Sequence, residues 1–207
     1  MEDLLDLYGR PYDRGHPTVC IDELPVQLLG EVSPALRMTP SKSQRIDYEY
    51  QRNGTASIFV AIEPLSGRRL YWVCEQRTAQ DYARFLQRVS AHWADAEQIR
   101  LVQDNLNTHT PGSFYSVLPP AEAFALAARF EPHYTPVKAS WLNMAEIELS
   151  ALSKQCLDRR IGSLVDLQRE VAACAVQRQG RTITWRFTQT DARAKLKRHY
   201  PDHSKPA

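Results

Sequence analysis

The sequence predicts an α/β fold, one mixed sheet flanked by helices. Four strand-like runs, residues 18–21, 55–62, 69–74 and 99–103, surround one stretch of clear helical periodicity. The first and last of these runs each end on an aspartate, Asp22 and Asp104. Ligands of open α/β sheets gather beyond the carboxyl ends of strands, so two such aspartates form a candidate site.

Taken in order, residues 1–17 (LLDLY, then Pro11, Gly15 and Pro17) read as a linker or helix remnant. Residues 24–49 hold Pro25, Pro34 and Pro40, which predicts an irregular excursion with at most one short strand, mildly basic through Arg37, Lys42 and Arg45. TASIFVAI and RLYWVC, joined by EPLSG, predict a hairpin, and with the first strand an antiparallel meander. Thr78 is an N-cap with Asp81 in the following turn, and Tyr82, Phe85, Leu86, Val89 and Trp93 recur at helical spacing. That helix crosses over to the 99–103 run, where Asn105 and Pro111 break the strand beyond Asp104. A short helix over 119–129, a strand over 129–134, a loop with Pro136 and a helix over 143–160 follow. Ser163 with Asp166 caps a helix over 164–177, ended by Gly180; residues 182–187 alternate like a strand, and Thr190 starts a basic last helix.

With 207 residues, 43% of them hydrophobic and 24% charged, the chain can bury one core of ordinary size. Cys20, Cys74, Cys156 and Cys174 include no Cys-x-x-Cys pair, so neither a zinc site nor a disulfide framework is indicated, and a reduced cytoplasm fits. No signal peptide or membrane-length apolar stretch is present, so no membrane partner is expected. Charge is unevenly spread: residues 154–207 hold 12 Lys and Arg against 5 Asp and Glu, leaving 14 against 19 for residues 1–153. A basic tail of this kind suits phosphates, with Arg159, Arg160, Lys195, Lys197 and Arg198 as candidate DNA contacts, although Arg-rich solvated helix faces give the same count.

An Asp after a strand is most often a turn former. Glu23, next to Asp22, points away from the site if the strand alternates, and at most supports a neighbour. Glu146 falls in the first turn of its helix, where Asn143-x-x-Glu146 also matches a capping box. Glu148 is a rival, but residues two apart on a helix lie about 200° apart around the axis, so the two cannot share one pocket. Trp141 is placed either to stack on an unpaired base or to anchor its loop.

Three motifs in order, VCIDELPVQLLGE, QDNLNTH and HYTPVKASWLNMAEIELS, resemble the DDE-superfamily transposases, specifically the bacterial insertion-sequence branch related to the mariner elements. The resemblance covers nearly the whole chain and implies an RNase H-like catalytic domain, although the element order alone also allows other α/β layouts. By motif, Asp22, Asp104 and Glu146 are then the catalytic and metal-binding residues, holding two Mg²⁺ or Mn²⁺ ions. Asn105, His109 and Asn143 are expected to support them or to orient the scissile phosphate.

The implied division is a linker over 1–17, a catalytic domain over 18–162 and a basic helical extension over 163–207. The implied partners are double-stranded DNA, as transposon ends and target, and a second copy of the chain. The family's helix-turn-helix modules have no room before Thr18, so the expectation is a separate or frameshifted DNA-binding polypeptide, or a decayed fragment. An RNase H-like nuclease without strand transfer and a non-catalytic DNA-binding remnant are the alternatives.

Overall fold

The computed structural model describes residues 1–33, 48–106, 109–197 and 200. Helix α1 (Glu2–Gly9) precedes strands β1 (Thr18–Glu31), β2 (Tyr50–Glu63) and β3 (Arg68–Cys74). Then come α2 (Ala79–His92), β4 (Ile99–Gln103), α3 (Pro120–Ala128), β5 (Phe130–Tyr134), α4 (Ala145–Gln155), α5 (Leu164–Arg178) and α6 (Gln189–Lys195). One sheet runs β3-β2-β1-β4-β5; the first three strands form the antiparallel meander, and β4 and β5 extend it parallel to β1.

Strand alternation divides the sheet between two layers. Val19, Ile21, Phe59, Ile99 and Leu101 face α2 and α3, where Phe85, Leu86, Val89 and Trp93 close one core. Cys20, Val60, Ile62 and Val102 face the other way, against Leu4, Leu5 and Leu7 of α1 and Ala145 and Leu149 of α4. The far end of the β1–β2 hairpin has its own core, in which Leu28, Ala56 and Ile58 meet Leu152 of α4 and Leu167, Val171 and Cys174 of α5. Thr78 caps α2 with the reciprocal Asp81 bond, as its spacing predicts. Among the described residues no helix is long and apolar enough to cross a membrane.

Several expectations need correction. Residues 1–17 are more than a linker, because Leu4 and Leu7 are fully buried on the sheet. Residues 24–31 are not part of an irregular excursion: β1 runs on through Pro25 to Glu31, paired with β2. Parallel pairing with β4 ends at Cys20, so from there β1 borders only β2, and a proline without an N–H is tolerated on the free side. Arg37, Lys42 and Arg45 lie outside the described residues. Residues 182–187 form no strand; their alternation instead lays Ile183, Trp185 and Phe187 on the α1 core, with a single bond from Ile183 N–H to the Pro64 carbonyl. The last helix is capped by Thr188, not Thr190, in a capping box with Asp191.

Helix α5 is built into the fold by a buried ion cluster. Glu148 of α4 is wholly buried, and its Oε1 lies 2.5 Å from Arg178 Nε and its Oε2 3.1 Å from Arg69 Nε, while Tyr71 donates its hydroxyl to Oε1. Arg69 also donates to the carbonyls of Gly67 and Arg178, both at 2.6 Å. Burial acts to raise the Glu148 carboxyl, but the Arg178 guanidinium, Tyr71 and Arg69 overcome it and hold it below its ordinary value. Gly67 (φ 73°) closes the β2–β3 turn against this cluster, where a Cβ would sit 2.5 Å from the Gly180 backbone. Removing one partner of a buried ion cluster strands the others, so Glu148→Ala is expected to lower unfolding free energy by about 3–5 kcal/mol in urea titration.

Candidate active site

β1 and β4 pair Thr18, Val19 and Cys20 with Arg100, Leu101 and Val102, and the pairing stops there. Asp22 and Asp104 each lie two residues beyond the last pair, at matching positions of adjacent parallel strands. By alternation both leave on the face of Cys20 and Val102, which is the face covered by α4.

α4 brings Glu146 to that face. Asn143, 1% exposed, donates its Nδ2 to the Ile21 carbonyl at 2.8 Å and to Asp22 Oδ2 at 3.4 Å, while its Oδ1 accepts the Ala145 N–H at 3.1 Å. The start of α4 is thereby fastened to β1 at Ile21 and Asp22, just past its last pairing with β4. The capping box of Asn143 with Glu146 is not formed: the cap position is Met144, without a side-chain cap bond, because the Asn143 amide is committed to β1 and Ala145. Glu146 is left half-buried beside Asp22, and Glu148 points away into the Arg69–Arg178 cluster, as the 200° separation requires.

Burial pushes the Asp22 carboxyl up to about 7, opposed by the Glu23 N–H that donates to its Oδ1 at 2.8 Å and reinforced by the charges of Glu146, Glu23 and Asp104. Asp104 lies 2.5 Å by its Oδ1 from His109 Nδ1, and His109 Nε2 lies 3.5 Å from Glu23 Oε2. Burial alone would depress the His109 imidazole; the Asp104 and Glu23 carboxylates overcome it and hold it up at about 9, so the ring is cationic at neutral pH. Tyr82 of α2 stacks on that ring at 4.6 Å between centroids and donates its hydroxyl to Gln103 Oε1 at 2.8 Å. Asn105 follows Asp104 and is exposed.

The donor set is hard carboxylate oxygen, which suits Mg²⁺ or Mn²⁺ and not a soft ion. Among the described residues no group of three or more His, Cys, Asp or Glu side chains is gathered closely enough to hold a metal ion by itself. Mg²⁺ needs fewer, since it keeps several waters and is held by one or two carboxylates plus substrate phosphates. Burial is the larger cause of the raised Asp22 carboxyl, and the repulsion from Glu146, Glu23 and Asp104 that adds to it is what a divalent cation would relieve.

The family model of the DDE superfamily endonucleases matches residues 17–168. The chain belongs to this superfamily. A search of curated proteins finds no match. Among solved structures, the chain is similar to a Mos1 transposase paired-end complex with left transposon end (16% identity, TM-score 0.60, covering 87% of this chain and 53% of that one). It is also similar to a Mos1 mariner paired end complex with Mn (17%, 0.58, 87% and 54%) and to a pre-cleavage Mos1 transpososome (14%, 0.59, 87% and 54%). The fold of this DDE endonuclease is therefore RNase H-like, and the chain spans about half the length of those transposases.

The basic residues fare less evenly than their count suggests. Arg159 pairs with Glu170, and Arg160 lies 3.2 Å from Glu31 and donates to the carbonyls of Glu49 and Tyr48, so both already have partners within the fold. Lys195 is exposed, 3.8 Å from Asp191; Lys197 is exposed; Arg198 lies outside the described residues. Trp141 is 47% exposed, with one side anchored on Trp185 and Phe187.

Sequence reading gave Glu23 only a supporting part and left Tyr82 in the core. The signal was available in the Asp-Glu pair just past the stretch of β1 that borders β4 and in a histidine five residues after Asp104. Asp22 holds its proton longer in the folded chain than unfolded, so its contribution to stability falls as pH rises from about 4 to about 7. Without added metal, Asp22→Asn is expected to unfold at higher denaturant than wild type at pH 8, by on the order of 2 kcal/mol, and no higher near pH 4.

Proposed function

We propose that this chain is the catalytic domain of a cut-and-paste DNA transposase of the insertion-sequence type, with Asp22, Asp104 and Glu146 as its metal-binding catalytic triad. One observation carries the reading: two aspartates at matching positions of adjacent parallel strands, each two residues past the last β1–β4 pair, faced by a glutamate of α4 whose helix start is fastened to β1. Two Mg²⁺ or Mn²⁺ ions held by these carboxylates would activate water, later a freed 3′-hydroxyl, and stabilise the leaving oxygen of the scissile phosphate.

The chain's own residues do the rest. Asp22 has to give up its proton to bind a cation, which its pKa of about 7 allows at neutral pH. Asn143 keeps Asp22 and α4 in fixed relation, and Asn105, exposed beside Asp104, is placed to meet the phosphate. The substrate is double-stranded DNA, as transposon ends and as target. We assign base reading to helix-turn-helix modules outside this stretch, on the same or another polypeptide, and joint handling of two ends to a dimer.

Calorimetry with Mn²⁺ tests the site: Asp104→Asn is expected to weaken binding at least tenfold, and undiminished binding would move the metal elsewhere. Glu146→Gln is expected to melt as wild type does and to lose cleavage of an element-end duplex, whereas full activity would remove Glu146 from the chemistry. DNA binding by this chain alone should be sequence-indifferent and salt-sensitive, and Ala at Lys195 and Lys197 should flatten the salt slope by about one unit per lost phosphate contact.

A further inference from the structure

Glu23 has no part in the triad, yet it is the residue that both aspartates share. Its backbone N–H donates to Asp22 Oδ1 at 2.8 Å. Its side chain, 7% exposed, turns to the opposite face of β1 and lies 3.5 Å by Oε2 from His109 Nε2, with Arg77 4.0 Å from its Oε1. His109, 4% exposed, returns the contact across the sheet end by placing Nδ1 2.5 Å from Asp104 Oδ1. The ring is held in plane by Tyr82, stacked on it, and by Gln103, whose Nε2 donates to the His109 carbonyl at 3.3 Å.

We infer that Glu23 is a positioning residue for both catalytic aspartates, holding Asp22 through its own backbone and Asp104 through His109, so that the two present their other oxygens to the metal in fixed relation, with Asn143 Nδ2 at 3.4 Å as the neighbour of Asp22 Oδ2. The inference rests on the metal-site reading above and adds a residue outside the triad. Two observations favour positioning over simple packing. Asp104 Oδ1 is buried against His109 although the side chain as a whole is 36% exposed, so Oδ2 is the oxygen turned to solvent. And Glu23 and His109 are both nearly inaccessible, spending a buried acid and a buried imidazole on one carboxylate at the strand end. Partners that orient ligating carboxylates affect metal affinity or activity by about 10–100-fold when removed.

The test measures Mn²⁺ affinity of the full chain by calorimetry, without reference to cleavage, for wild type, Glu23→Ala, Glu23→Gln, His109→Gln, the Glu23→Ala/His109→Gln double variant and Asp104→Asn. Glu23→Ala and His109→Gln should each bind Mn²⁺ about 10–100-fold more weakly. Glu23→Gln, whose amide oxygen can still accept from the imidazole, should recover most of the loss. The double variant should lose no more than the weaker-binding single, because both act through one path. Wild-type affinity in His109→Gln, or additive losses in the double variant, overturns the inference; if Glu23→Ala does not fold, His109→Gln decides alone. Asp104→Asn separates the two readings: wild-type affinity there removes the metal site itself, whereas weakened binding there with wild-type affinity in His109→Gln removes only the positioning role of Glu23.

Discussion

The site depends on the register of one parallel pairing, Cys20 of β1 opposite Val102 of β4. Two residues later on each strand, Asp22 and Asp104 emerge level with one another and on the same face. A slip of one residue in either strand would send one aspartate to the α2 side, where Tyr82 and Phe85 pack. The register is secured by burial: Val19 and Ile21 fill one core, Cys20 and Val102 the other, so a slip would also turn the apolar side chains of the slipped strand to the wrong layer.

Gathering acids at a strand end works against the fold, and the surrounding groups are arranged to contain that cost. Asp22 is raised to about 7 by burial and by its acidic neighbours. The His109 ring, itself beside Glu23, sets a positive charge against Asp104. Asn143 supplies a neutral donor to Asp22, which tethers α4 without adding charge. Asp22 thus accepts from Glu23 and Asn143 and Asp104 lies against His109, and the repulsion left among the acids is of the kind a divalent cation relieves.

Much of this was legible in the sequence, for local reasons. The hairpin turn 63–67, the Thr78 cap, the crossover of α2, Asp104 just past β4 and Glu146 in the first turn of α4 follow from short-range patterns, whereas Asp22 lies inside β1 and not at its end. What escaped was set by distant partners. Pro25 suggested an end to β1, but the strand has a free side there, a fact of sheet order. TITWRF has strand alternation, but the sheet edge beside it offers a single bond, from Pro64. Arg159 and Arg160 look like phosphate ligands until Glu170 and Glu31, far off or in another element, turn out to hold them. Charge counts report how many cations a segment has and not how many are free.

α4 shows how one short helix serves two opposed demands. Glu146 and Glu148 are two residues apart and so face directions about 200° apart. Glu148 is sunk among Arg69, Arg178 and Tyr71, where full pairing makes a buried charge tolerable and binds α4 to β3 and α5. Glu146, on the other side, keeps solvent access and a like-charged neighbour, a poor arrangement for stability and a suitable one for a metal ligand. The buried glutamate and Asn143 fix the helix at two points, so the exposed one need contribute nothing to folding. In that division of labour the chain beyond the family match, through Arg178 of α5, acts on the site by holding the helix that carries Glu146.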